Sequence, residues 1–214
     1  MIYVFVPYYH EDTPEFKKSL ESQTVPYRLI KRNRKASKIL WTEAINDFWH
    51  DSFKWGKDDD VVCIMNNDIE FDGLTFKDFS CLTKGEISIS EGTLIDWQKK
   101  SFKMVKGAGL DYYRPDSFIG HCFAMTLGDF KKLGGFCKLL PHALADIDYG
   151  IKALKRLRVY SGYAIHKDHA YEKTSKWSWR SYDNPIVWTI FLLRHPNRYT
   201  LLNIARCWYD GIFR

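Results

Sequence analysis

The run Val61-Val62-Cys63-Ile64-Met65 constrains this chain more than any other feature, because it passes abruptly into Asn66-Asn67-Asp68-Ile69-Glu70. Five consecutive apolar residues with polar neighbours read as a short strand buried on both faces, the kind found in parallel sheets covered by helices. In open α/β sheets, ligands collect beyond the carboxyl ends of the strands, and the amides and carboxylates here stand at such an end. Asp68 and Glu70 offer hard oxygen donors, which suit Mg²⁺ or Mn²⁺. Such a cation keeps waters and shares its shell with substrate phosphates. The pattern predicts a metal–diphosphate site, with Asp68 and Glu70 toward the metal and Asn66 and Asn67 toward the ribose or phosphate. In an extended strand Asn66, Asp68 and Glu70 share one face. The competing reading is an Asn-Asn-Asp turn that merely ends a strand.

The preceding residues supply a matching frame. Residues 2–7 read as a first strand stopped by Pro7, and Thr13-Pro14 as an N-cap with Pro at the first helical position, opening a helix to Ser22. Residues 27–30 form a second strand, followed by the basic loop 31–35. Ser37 caps a helix with Ile39, Leu40, Ala44, Ile45 and Phe48 at helical spacing. Strand, helix, strand, helix, strand implies right-handed crossovers and a mostly parallel sheet, a Rossmann-like nucleotide-binding half over about 1–70. Neither G-x-G-x-x-G nor G-x-x-x-x-G-K-[ST] is present, so nothing supports a dinucleotide fold or a P-loop.

Beyond residue 70 the pattern loosens. Residues 86–90 alternate like a half-exposed strand, 118–125 read as another, and Gly134-Gly135 as a turn. Residues 146–156 look helical, and 158–166 return as a strand. The expected organisation is one mixed α/β domain over 1–214, with a metal and acceptor half over about 71–176 and a helical extension over about 177–214.

A formal net charge of +6 fits an anionic small molecule, a membrane surface or nucleic acid, and selects none of them. Five scattered cysteines without a Cys-x-x-Cys pair indicate neither a zinc site nor a disulfide framework, which favours a reducing compartment. Met1 leads straight into a strand, and no apolar stretch is long enough to span a bilayer. The expectation is a soluble, cytoplasmic protein (host cytoplasm, for a viral chain). Aromatic residues make up 16% of the chain; their rings line sugar- or base-binding clefts or simply fill the core. Trp177, Trp179, Trp188 and Trp208 near the end read best as packing a C-terminal helix, with an acceptor cover or peripheral membrane contact as the rivals.

Several segments, in order, resemble family-2-type, rhamnosyltransferase-like nucleotide-sugar glycosyltransferases of GT-A fold. Val4-Phe5-Val6-Pro7-Tyr8-Tyr9 resembles the opening strand and its Pro-aromatic exit, and Ser19-Leu20-Glu21-Ser22-Gln23-Thr24 the helix end that follows. Asn66-Asn67-Asp68 is similar to the family's metal motif, and Gly120-His121-Cys122-Phe123 to the strand lining the acceptor side. Leu133-Gly134-Gly135-Phe136 resembles the Gly-Gly-Phe turn, Asp146-Ile147-Asp148-Tyr149 the acidic helix start, and His169 the late histidine. The chain departs from the pattern at Ala145, at Cys137-Lys138, and in the loop 31–35, which holds no acid where the family places a base-contacting Asp.

The resemblance implies transfer of a sugar, with inversion, from a nucleotide-diphosphate sugar (a UDP-sugar favoured) to a glycan hydroxyl, as one domain of a larger viral or bacterial enzyme or alone. It implies Asp146 as general base, and a divalent cation, Mn²⁺ or Mg²⁺, held by Asp68, Glu70 and His169, with His166 in reserve. Pro7, Tyr8, Tyr9, Glu11, Asn33, Arg34, Asn66 and Asn67 would line the nucleotide. Asp146 near a helix start should have a low pKa unless burial raises it, and either it or Asp148 serves as an N-cap. The basic residues 31–35 meet phosphate or form a solvated face. The rival functions are a nucleotidyltransferase, or a non-catalytic carbohydrate- or polyanion-binding module; dispersed basic residues argue against nucleic acid.

Overall fold

The computed structural model describes residues 1–89, 94–95, 117–118, 120–160, 165–166, 178, 184–196 and 198–213. The elements run β1 (Ile2–Tyr8), α1 (Pro14–Glu21), β2 (Tyr27–Asn33), α2 (Arg34–Ser37), α3 (Trp41–Ser52), β3 (Val61–Met65), β4 (Ile69–Glu70) and α4 (Thr75–Ser80). Then follow β5 (Glu86–Ile89), β6 (Leu94–Ile95), β7 (Ser117–Phe118), β8 (Cys122–Thr126), α5 (Leu127–Leu133), α6 (Ala145–Leu154), β9 (Arg158–Val159), β10 (Ile165–His166), α7 (Pro185–Arg194) and α8 (Arg198–Phe213).

Six strands form one mixed sheet in the order β2-β1-β3-β8-β5-β9. β1 runs parallel to β2 and β3, whereas β8 is antiparallel to both its neighbours, β3 and β5. The apolar run of β3 is continuous because both faces are covered. Val62 and Ile64 enter the core on the α3, α5 and α6 side, while Val61, Cys63 and Met65 enter the core under α1 and α4. β1 divides the same way: Phe5 goes to the first core, and Ile2, Val4 and Val6 to the second. Period-two alternation thus feeds two cores from one strand.

Local chemistry sets several boundaries. The Thr13 hydroxyl accepts from Phe16 N, with Pro14 at the first helical position, so α1 starts where the sequence predicts. β1 continues through Pro7 to Tyr8, one residue past the expected stop. β3 pairs only with residues 2–5 of β1, so at Pro7 one edge has no ladder to lose. The basic segment is not a loop: 31–33 extend β2, and Arg34 and Lys35 open the short α2. Ser37 ends α2 and caps nothing; α3 begins at Trp41 behind Leu40, which makes no side-chain cap.

β5 is buried along its whole length, not half-exposed, because it lies between β8 and β9 and Glu86 is neutralised by Arg158 at 2.7 Å. The expected strand at 118–125 divides into β7 and β8, and that at 158–166 into β9 and β10, each half in a different sheet. Among the described residues no helix is long and apolar enough to cross a membrane.

The topology has one consequence for function. The C-terminal ends of β1, β2, β3 and β5 and the N-terminal end of β8 all lie along one edge of the sheet, as the registers Tyr8↔Asn33, Met65↔Cys122 and Ile89↔Phe123 require.

Candidate functional site

At that edge the chain turns at Asn66–Asp68, so Asn66, Asp68 and Glu70 do not share the face of one extended strand. Three residues separate β3 from β4, and the expected alternation fails there. Asn67 stitches the turn to the exit of β1. Its amide donates to His10 O at 2.9 Å and to Asp12 Oδ1 at 3.2 Å, and its carbonyl accepts from Thr13 N at 3.3 Å. Glu70 lines a cleft of about 340 Å³ with Pro14, Glu15, Lys18, Ser19, Ser22 and Phe71, on the α1 side. Asp68 is partly buried and is not in that lining.

On the other side of the turn stands the start of β8. Asn66 N donates to His121 O at 2.8 Å, and Asn66 Nδ2 lies 3.5 Å from His121 Nδ1. The adjacent Gly120 N donates to Asp146 Oδ2 at 2.9 Å, while Ile147 N donates to Oδ1 at 2.9 Å. One dipeptide, Gly120-His121, therefore holds the Asn-Asn-Asp turn and Asp146 together.

Asp146 is 8% exposed. Burial pushes its carboxyl above the ordinary 3.8, and the N–H groups of Gly120, Ile147 and Asp146 itself, all pulling downward, do not offset it. The low pKa expected from its place at a helix start is corrected accordingly: desolvation outweighs the helix terminus. Nor does either acid cap the helix. The N-cap is Leu144, in the left-handed region at φ 60°, and no side chain caps α6.

Asp148 is fixed from outside its helix. It accepts from Arg194 Nε at 2.6 Å and Nη2 at 3.2 Å, and His195 Nε2 lies 2.8 Å away. Burial acts to raise its pKa, but the His195 and Arg194 hydrogen bonds prevail and hold it below the usual carboxylate value. Two acids two residues apart are thus pushed in opposite directions, a pattern that separates a proton acceptor from a structural anion.

The Gly-Gly-Phe turn is clasped from α3. Asn46 Oδ1 accepts from Phe136 N at 2.7 Å and Nδ2 donates to Phe136 O at 3.2 Å. A Cβ on Gly135 would stand 2.4 Å from Asn46 Oδ1, and Gly134 has φ +78°. Phe136 stacks on Tyr149 of α6 at 4.0 Å and meets Trp41 edge-on at 5.1 Å, so the turn braces the helix that carries Asp146.

Around the expected nucleotide side, Lys31 Nζ sits 2.6 Å from Asp12 Oδ2 and 4.6 Å above the Tyr8 ring, and the Arg34 guanidinium lies 5.7 Å from the Tyr9 ring centre. Arg32 pairs with Asp47 at 3.0 Å. The Asn33 Oδ1 accepts from Ala36 N at 2.9 Å and so caps α2. Pro7 is buried, Tyr8 and Tyr9 are half-buried, and Glu11 is exposed. His169 lies outside the described residues; of His166 only the backbone is described, paired with Ile69. His121, Trp41 and Asn46 were not expected among the positioning residues. His121 has a signal in the Gly-His motif, whereas Trp41 and Asn46 look like any other residues of an amphipathic helix.

The chain matches no protein-family model and no curated protein. Among solved structures it is similar to the mannosyltransferase PcManGT from Pyrobaculum calidifontis, in complex with GDP-Man and Mn²⁺, with TM-score 0.55 and 14% identity over 98% of this chain and 74% of that one. The fold is GT-A. The catalytic domain of Drosophila β1,4-galactosyltransferase 7, in complex with xylobiose, shows the same GT-A likeness with TM-score 0.52 and 13% identity over 75% of this chain. S. aureus TarS does so with TM-score 0.52 and 12% identity over 99% of this chain. The chain spans 64% of the galactosyltransferase domain and 42% of TarS.

Among the described residues of this GT-A chain, no group of three or more His, Cys, Asp or Glu side chains lies close enough to hold a metal ion. The Asp68 carboxylate at the turn fits a hard cation that takes most of its shell from diphosphate and water, and does not fit an all-protein cage.

Proposed function

We propose that this chain is a metal-dependent, inverting glycosyltransferase of the family-2 type, passing a sugar from a nucleotide-diphosphate sugar to a glycan hydroxyl. The observation that carries the reading is the Gly120-His121 dipeptide, which joins the Asn66–Asp68 turn and the buried Asp146 at the sheet edge where an α/β fold collects ligands. The GT-A likeness to enzymes solved with GDP-Man and with xylobiose supports a nucleotide-sugar donor and a glycan acceptor.

In this reading Asp146 takes the proton of the acceptor hydroxyl as its oxygen bonds to the anomeric carbon, and the bond to the diphosphate breaks with its electrons leaving on phosphate. Gly120 N and Ile147 N aim the carboxylate, and its raised pKa makes it a stronger base than an exposed Asp. A divalent cation, when bound beside Asp68, supplies charge neutralisation for the departing diphosphate. Asn66 and Asn67 fix the turn that presents Asp68, and Tyr8, Tyr9, Lys31 and Arg34 border the nucleotide. Glu70 and His169 remain further candidate ligands, and a UDP-sugar is the favoured donor. The described and matched segments together act as one catalytic unit.

The test is binding and transfer measured side by side. Asp146→Asn should leave donor affinity, read by calorimetry with Mn²⁺, within a few-fold of wild type, while transfer falls about 10²–10⁴-fold. Asp68→Ala should abolish metal-dependent donor binding, and chelation of wild type should do the same. Unchanged turnover in Asp146→Asn removes it as base; metal-dependent binding that survives Asp68→Ala removes the metal assignment.

A further inference from the structure

Helix α8 is amphipathic in the wrong sense for a helix that only packs on a core. Among its described side chains Cys207 and Asn203 are buried, at 2% and 8% exposed, whereas Leu201, Leu202 and Tyr209 are exposed at 55%, 61% and 60%. Trp208 is 38% exposed. At ~100° per residue these four outward side chains fall within an arc of about 120°, with Arg206 on its border. A surface helix normally turns its apolar stripe inward. Here the apolar stripe is outermost. Leu193 near the end of α7 is also exposed, at 80%.

The charge balance of the C-terminal sequence says what the stripe meets. From Pro185 to the end, the sequence carries four arginines and one acid, Asp210, with no lysine or glutamate. Arg194 is committed to Asp148, but the balance remains positive. Two copies meeting through this face would bring like charge against like charge. An anionic lipid surface instead offers both an apolar layer for the leucines and negative headgroups for the arginines, and Trp and Tyr are at home at that boundary.

We propose that the outer face of α8 docks on an anionic membrane surface, with the helix lying in the interface plane and not crossing it. This inference is independent of the glycosyltransferase reading, since it uses none of the site residues.

The experiment is co-sedimentation of the full chain with vesicles of phosphatidylcholine alone and of phosphatidylcholine mixed with phosphatidylglycerol, at low and moderate salt. The expected result is binding to the mixed vesicles that weakens with salt, and little to the neutral ones. Leu201→Asp with Leu202→Asp should abolish it, and Arg206→Glu should lower partitioning about fivefold or more, since each basic residue near an anionic surface contributes roughly that factor. Tyr209→Ala, a milder change at an exposed position, should weaken binding measurably even if the double variant proves unstable. The proposal is overturned if wild type stays in the supernatant with anionic vesicles at low salt, or if all these variants sediment like wild type. It is equally overturned if light scattering shows a dimer that the double variant dissociates, which would assign the face to a second copy.

Discussion

A methyl group at Gly120 would crowd its neighbours. A Cβ there would stand 3.0 Å from Asp146 Cβ and 3.1 Å from Trp41 Cη2. Overpacking of this kind costs about 1–3 kcal/mol, while a reacting group displaced by ~1 Å can lose about 10²-fold in rate. Gly120→Ala is therefore expected to depress transfer far more than it depresses the melting temperature; a loss of stability with proportionate loss of activity would make the glycine merely structural. The Tyr149 hydroxyl, fully buried, finds no hydrogen-bond partner among the described residues, and burial drives its pKa well upward. Removing an unsatisfied buried hydroxyl relieves a desolvation cost, so Tyr149→Phe should melt at the same temperature or higher. In the proposed reaction the raised pKa of Asp146 would set the pH profile. The base must be ionised to work, so the acid limb of transfer should fall at a pH above the ordinary 3.8 of an aspartate and disappear in Asp146→Asn. None of this could be seen in the sequence. Helix position alone argued for a low pKa, because the sequence shows that Asp146 follows a turn but not that it is 8% exposed.

Between α6 and α7, the grip of Arg194 and His195 on Asp148 is the polar tie. The folded-state pKa of Asp148 is depressed, so its stabilisation is present above the unfolded value and lost as pH falls through the folded one. Arg194→Met keeps the apolar stem and removes the charge. At neutral pH it should cost on the order of 2 kcal/mol, below the ~3–5 of a wholly buried pair, since the Arg194 side chain is 41% exposed. That cost should shrink as acid protonates Asp148; denaturant melts of both forms across the acid range check it. Elements whose signals are local were legible: Thr13-Pro14 at the head of α1, the continuous apolar run of β3, and the Gly134-Gly135 turn. Boundaries set from elsewhere were not. α3 starts at Trp41 without a side-chain cap, and β9 and β10 look like one strand until their partners, β5 and β4, are known.

The sheet order places antiparallel β8 between β3 and β5. At this scale the sequence disclosed the parallel first half and the α/β class, because period and crossover rules act through neighbouring segments. It did not disclose that His121 and Asn66, 55 residues apart, meet at the same edge. That meeting needs the register Met65↔Cys122, which no local pattern encodes. Membrane docking also belongs to this scale: the stripe on α8 is visible as apolar residues in the sequence, but only packing shows that it faces outward.

Ile95 and Ser117 are register partners on β6 and β7, so the two ends of the stretch between them stand side by side. For heredity this is a permissive address. In general, doubling the length of a loop costs only about 0.6 kcal/mol in closure entropy, whereas a one-residue slip in β3 would send every side chain of that strand to the wrong face. Lineages descended from such a chain can lengthen, shorten or rewrite residues 96–116 and keep the sheet edge with its candidate site, so their divergence should pile up there and spare the dipeptide at 120–121.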